Sequence, residues 1–231
     1  MSPYATMHND ICNLAYEKAV GLVIIPFHIT SGPKGTIIDS SLAIREVNNV
    51  VLKKAPCSVG LLVDRSSSRK RVIKEDAYMI WIVFIGGADD YEALAYGKLF
   101  ANNPCVRLHV IWLKPPESDD VNVLDNEVMK QFRSTCINNE RISFEEVIVN
   151  SGDETIQVMA MVKEKVDLVV TGKVHNLQSI PLFGLSDGWS EYPELGILGD
   201  VFALDFEFSL LVVQQEPQSE FALDFEGKLH Q

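Results

Sequence analysis

Long apolar runs are missing from this sequence. A bilayer-spanning helix needs roughly 20 consecutive apolar residues, and the richest run, residues 79–85 (MIWIVFI), is far shorter. The expectation is a chain with no direct membrane insertion. Cysteine is sparse too: Cys12, Cys57, Cys105 and Cys136 are widely spaced, with no C-x-x-C pair and no histidine at metal-ligand spacing. That argues against a zinc centre and against a disulfide framework, and fits reduced thiols in a cytosolic setting. Positive charge is short, 20 Lys plus Arg against 32 Asp plus Glu, for a net charge of −12. Such a balance excludes non-specific nucleic-acid binding and attraction to anionic lipid. Residues 1–10 also lack the basic start and apolar core of a signal peptide.

What is present is a globular composition, 47% hydrophobic over 231 residues, enough for a sizeable core. The chain is organised around residues 78–101. Residues 79–85 read as a strand buried on both faces of a parallel sheet, Gly86 and Gly87 turn the backbone, and Asp89 or Asp90 caps a helix carrying Ala93, Leu94, Gly97, Phe100 and Ala101 at helical spacing. In open α/β sheets ligands sit beyond the carboxyl ends of such strands, so the turn 86–90 is the first candidate site.

Upstream, Ile11, Leu14, Ala15 and Lys18 mark a helix behind Asn9 and Asp10, residues 20–27 a buried strand, Gly32, Pro33 and Gly35 a loop, Ile44, Val47 and Val51 a second helix, and residues 58–63 another strand. The basic run DRSSSRKRVIKE (64–75) reads as a linker, bounded at 67–77. Downstream, strands are expected at 105–113, 142–149, 166–171 and 208–214. Helices run through Leu124 to Cys136, behind a Ser151/Glu154 capping box, and after Pro193. Five strands then alternate with four helices over 78–215. KAVGLVIIPFH (18–28) resembles KVDLVVTGKVH (165–175), and each is followed by a helix and a strand, which predicts a duplicated α/β unit whose first copy, 1–66, holds only its second half. FALDFE recurs at 202–207 and 221–226, and 216–231 reads as a frayed acidic tail.

The phrases HNDICNLAYEKAVGLVIIPFH, VNNVVLKKAPCSVGLLVDR, FIGGADDYEALAYGKLFA and GLSDGWSEYPELGILGD closely resemble the cytosolic carboxyl-terminal region of plant cation/proton exchangers, the monovalent-cation antiporters of the second proton-antiporter family. The likeness runs from His8 to Gln215. It implies a doubly wound parallel five-stranded sheet of the universal-stress-protein, Rossmann-like kind, preceded by a partial second copy. It also implies a regulatory role in potassium and pH homeostasis, no catalysis, and a transmembrane antiporter domain of the parent protein as partner, on the cytosolic face of an endomembrane or the plasma membrane. The transporter half is absent, so a truncated product or a fragment is expected. A free-standing stress-type nucleotide-binding protein is the other reading.

The resemblance also defines a ligand site. Nucleotide-binding members carry an acidic residue at the end of strand one and a G-x-x-G, nine residues, then G-S/T pattern after strand four. Here Gly86 stands at the acidic position, and Thr171 and Gly172 are followed by His175 where the second glycine belongs. Gly184 and Ser186 lie only roughly at the G-S/T position. The degraded pattern implies a retained fold without tight binding of ATP or AMP, hence no cofactor. Asp89 and Asp90 read as cap and dipole partners, with cation coordination as the alternative. His175 reads as a loop histidine bonded to backbone or as a pH sensor, an idea that His28 at the matching place keeps open. Ser186 lacks a paired His and Asp, Trp112, Trp189 and Tyr192 read as packing, and no metal site is expected. With strand order 3-2-1-4-5, strand five of each copy is outermost. Residues 58–63 should therefore pair antiparallel with 208–214, leaving 20–27 as an exposed edge open to homodimer formation.

Overall fold

The computed structural model describes residues 3–31, 37–65, 77–116, 122–137, 139–162, 166–185 and 190–216. The first half holds α1 (Tyr4–Glu17), β1 (Leu22–Pro26), β2 (Ile29–Ser31), β3 (Ile37–Ser40), α2 (Leu42–Lys54) and β4 (Ser58–Val63). The second holds β5 (Tyr78–Phe84), α3 (Ala88–Phe100), β6 (Val106–Lys114), α4 (Val123–Cys136), β7 (Ile142–Ile148), α5 (Gly152–Val162), β8 (Leu168–Gly172), a 3₁₀ turn Pro193–Leu195, α6 (Gly196–Asp205) and β9 (Ser209–Gln214).

One seven-stranded sheet runs in the order β1-β4-β9-β8-β5-β6-β7. Within β5–β9 every pairing is parallel and the order is the doubly wound one; β4 meets β9 antiparallel, with Leu61 opposite Val212. The five-stranded expectation thus describes β5–β9, and β1 and β4 extend the same sheet by two strands at the antiparallel seam expected from sequence. Strand alternation supplies both faces. Trp81, Val83, Val169, Leu210 and Val212 pack on one side with Val59, Leu61 and Ile25, whereas Ile80, Ile82, Phe84, Val170, Leu211 and Val213 pack on the other beneath α3 and α4.

Local chemistry explains most element ends. The Ser41 hydroxyl accepts the Ile44 amide at the start of α2, and Asn122 accepts the Leu124 amide before α4. Ser151 caps α5 through the Glu154 amide, but the Glu154 carboxylate returns to the Asn150 amide at 2.8 Å, one residue outside a reciprocal box. The start of the first helix needs correction: Asn9 and Asp10 do not begin it, because α1 starts at Tyr4 with Pro3 as its N-cap at φ −59° and ψ 144°. The Gly32 to Gly35 loop lies outside the described residues, and the antiparallel pair β2–β3 that flanks it consists of strands too short to leave a hydrophobic period. Most of the basic linker, residues 66–76, and the tail from 217 lie outside the described residues.

Candidate functional site

At the carboxyl ends of β5, β6 and β8 lies a cleft of about 930 Å³, within the size range of small-molecule sites. Gly86, Gly87, Asp89 and His175 line it together with Trp112 and Asp125. The turn forms because Gly86 and Gly87 take φ of +134° and +103°, left-handed values that glycine reaches without strain. Gly86 has a second reason to lack a side chain: a Cβ there would collide with the Asp125 carboxylate.

Asp90 is fully buried and fully engaged. Its Oδ2 accepts the amides of Ile85 and Gly86 at 2.8 and 2.9 Å, and its Oδ1 accepts Gly172 N at 2.7 Å and meets His175 Nε2 at 3.1 Å. Asp89 accepts Val174 N at 2.9 Å and Gln215 N at 2.8 Å. Asp125, reaching across from α4, accepts Gly87 N at 3.2 Å and the Tyr91 hydroxyl. Three carboxylates therefore fill the amides at the carboxyl ends of β5 and β8, the donors an anion would otherwise use. The capping expectation needs correction: the N-cap of α3 is Gly87, with no side-chain cap bond, and Asp89 and Asp90 in the first turn instead join α3 to the ends of β8 and β9.

His175 adds a buried titratable ring to this arrangement. Burial, the largest single influence, favours its neutral form; the adjacent Asp90 charge and hydrogen bond, with Asp89 behind, outweigh it and raise the imidazole pKa. Its Nδ1 and the buried Thr171 hydroxyl have no hydrogen-bond partner among the described residues. Burial and the hydrogen bond to Asp125 together push the Tyr91 phenol up. Burial lowers the Lys173 pKa, with Asp89 opposing; its Nζ donates to Gln214 at 2.8 Å.

The other expected site residues fall elsewhere. Thr171 and Gly172 lie behind the cleft wall, where a Cβ on Gly172 would stand 2.6 Å from Asp90 Oδ1. Gly184, with φ of +89°, is in the connection from β8 to α6 and does not line the cleft. Ser186 and Trp189 lie outside the described residues. Trp112, though buried, lines the cleft, and Tyr192 is a buried packing residue away from it. Asp125 and Asp200 were not singled out from sequence. Asp200 accepts the amides of Glu191 and Tyr192 at 3.1 and 2.8 Å, which orders the approach to α6. Asp200 had an advance sign, an acidic residue inside an apolar helix pattern, whereas Asp125 stands in a polar first turn and had none.

In the first copy His28 is buried against Phe27 and Tyr192, with Nδ1 3.3 Å from Glu194 Oε1 in an ion-pair geometry that makes no hydrogen bond. Arg45 grips the same carboxylate with Nε and Nη2, each at 3.0 Å. Burial lowers the His28 pKa, Glu194 opposing and Arg45 adding to the fall.

These features define a doubly wound α/β protein with a cleft at the carboxyl ends of its strands, where its own carboxylates engage the turn amides. Its relatives are specific. Residues 77–214 match the family described as plant cation/H(+) antiporter, C-terminal domain, and residues 1–67 match the plant cation/H(+) antiporter domain. Cation/H(+) antiporter 14 of Arabidopsis thaliana is 39% identical over 99% of this chain and 29% of its own length. Cation/H(+) symporter 13 of the same plant is 37% identical over 99% of this chain and 28% of its own length. The chain belongs to the plant cation/H(+) antiporter family and spans under a third of the length of these relatives. Among solved structures, a universal stress protein from Archaeoglobus fulgidus is similar at TM-score 0.49 and 11% identity, covering 92% of this chain and 66% of that one. Among the described residues no helix is long and apolar enough to cross a membrane.

Proposed function

We infer that this chain is the cytosolic regulatory portion of a plant cation/proton exchanger, acting on the transport of a monovalent cation, potassium in our reading, through a transmembrane partner domain and without catalysis of its own. The observation that carries this reading is the family match along both halves of the chain. Relatives named for antiport and for symport match at similar identity, which favours a module common to both coupling modes over one that sets the coupling.

The cleft supports a role without tight nucleotide binding. A phosphate entering it would meet Asp89 and Asp125 rather than free amides, and like charges at such range repel strongly away from bulk water. The test is transport by a full-length relative, with this region intact or deleted, in cells deficient in potassium uptake. Deletion should change the pH dependence or set point of uptake, and the chain alone should give no rescue. Unchanged transport on deletion would overturn the regulatory reading. Calorimetry of the chain with ATP should be flat; sub-micromolar affinity would favour a nucleotide-binding stress-type protein instead.

A further inference from the structure

The charges around the cleft at the ends of β5, β6 and β8 are one-sided. Asp89 and Asp125 line it, 6% and 7% exposed, and among the described residues no lysine or arginine does. Asp90, behind them, already has His175 as its partner. The cations nearby are engaged outside the lining: Lys173, on which the Asp89 charge acts, has its Nζ on Gln214, and Lys114 Nζ stands 4.4 Å from the Trp112 ring centroid and pairs with Glu146. Asp125 gives its Oδ1 to Gly87 and Tyr91, and its Oδ2 has no hydrogen-bond partner among the described residues. A cleft walled by one sign of charge concentrates ligands of the other sign.

Two buried polar atoms on cleft residues also lack partners among the described residues, His175 Nδ1 and Ser179 Oγ. Such orphans are uncommon in folded proteins and call for a partner from outside. His175 is 9% exposed and its Nε2 faces the Asp90 acceptor, so Nδ1 accepts when the ring is neutral and donates when it is charged. A peptide backbone carries both an N–H and a C=O and meets either state. Other parts of the wall are apolar, with Ile85, Trp112, Ile180 and Pro181, which suits the methylene stem of a long basic side chain. Val174, also in the lining, is 62% exposed, and Leu177, between two lining residues, is 54% exposed; apolar surface left open beside a polar site is what a polypeptide covers. A metal ion is a poorer match, because among the described residues no three His, Cys, Asp or Glu side chains are grouped to hold one.

We propose that the cleft docks a basic polypeptide segment: a lysine or arginine side chain directed at Asp125 Oδ2 and Asp89, its stem along Trp112 and Ile180, and its backbone at His175 Nδ1 and Ser179 Oγ. Apolar residues flanking the basic one cover Val174 and Leu177. The net charge of −12 steers such a segment toward the chain from a distance. Anionic lipid and nucleic acid are excluded as occupants by the same carboxylates, which would face their phosphates at close range. The carboxylates thus have two tasks: one set of oxygens holds the turn amides, and Asp125 Oδ2 is left for the incoming cation.

The experiment titrates the full chain with a blocked heptapeptide carrying one central lysine between leucines, and reads binding by calorimetry and amide exchange. Binding should protect amides of residues 174–179 and weaken at least tenfold when norleucine, which keeps the stem without the charge, replaces the lysine. Asp125→Asn should weaken it at least tenfold, and Gln178→Lys, which adds a positive charge at an exposed lining position, several-fold. Gln178→Lys leaves the buried network untouched, so it decides the matter if Asp125→Asn does not fold. No binding of the lysine peptide, equal binding of the norleucine peptide, or binding indifferent to Gln178→Lys overturns the proposal. Binding of 1,5-diaminopentane as tight as that of the peptide would assign the cleft to a small amine, and binding seen only after Arg69, Lys70, Arg71 and Lys74 are changed to Gln would assign it to the chain's own basic run; either equally overturns it. None of these readouts involves transport, so the regulatory reading stands or falls separately.

Discussion

Asp90 Oδ1 holds the amide of Gly172 at 2.7 Å across a sequence separation of 82 residues, tying the first turn of α3 to the end of β8. The same carboxylate satisfies two amides of the β5 turn and the His175 ring. Removing it leaves buried donors unpaired, at about 1–3 kcal/mol for each such group. Asp90→Ala should therefore lower unfolding stability by about 3–5 kcal/mol, the range for breaking a buried charged pair. Gly172→Ala should be destabilising as well, because its Cβ would stand 2.7 Å from the Asp90 backbone nitrogen. Urea unfolding measures both, and an Asp90→Ala cost below about 1 kcal/mol would refute the structural role given to this residue.

The two matching histidines should respond to pH with opposite sign. The raised pKa of His175 means that its stabilising contribution is complete below about 6.5, the unfolded value, and is lost as pH rises through the folded value. His28 has a lowered pKa, so its contribution is present above about 6.5 and lost as pH falls through the folded value. His175→Gln should thus cost more at pH 6 than at pH 9, and His28→Gln should flatten the acid limb of the stability profile. Unfolding free energies at several pH values decide this, and shifts of the same sign for both variants would contradict it.

The framework was legible because it rests on local signals. The apolar runs at β4, β5, β8 and β9 carry their own strand pattern, and the 18–28 and 165–175 likeness, together with the strand order that the family resemblance implies, pointed to the antiparallel seam. The occupancy of the cleft was not legible. Asp125 caps Gly87 from another helix, and nothing within the α4 sequence distinguishes it from an ordinary first-turn acid. The pairing of His175 with Asp90 likewise depends on β5 and β8 being neighbours, a tertiary fact.

The seam predicts cooperative unfolding. Leu61 is 0% exposed and sits opposite Val212, so Leu61→Ala should cost about 2–5 kcal/mol in lost transfer energy and cavity formation. Because β4 covers the edge of β9, the loss should shift one transition that includes the amides of β8, not a separate melting of residues 3–65. Two resolved transitions, with β8 exchange unchanged, would mean that the half-copy is an appendage.

Asp125 offers a gain-of-function test of the proposal that carboxylates keep anions out of the cleft. It occupies the Gly87 amide at the amino end of α3, where the helix dipole and the free amides of a glycine turn would otherwise attract negative charge. Asp125→Ala removes one carboxylate from the cleft and returns that donor. The variant should bind inorganic phosphate or AMP at least tenfold more tightly than the parent chain, whose binding should be undetectable by calorimetry. An internal control reports whether the site stays folded. Burial and then the Asp125 hydrogen bond raise the Tyr91 pKa, so losing the second cause should move the Tyr91 absorbance titration to lower pH. A shifted Tyr91 titration without any anion binding would show that Asp125 is not what keeps phosphate out.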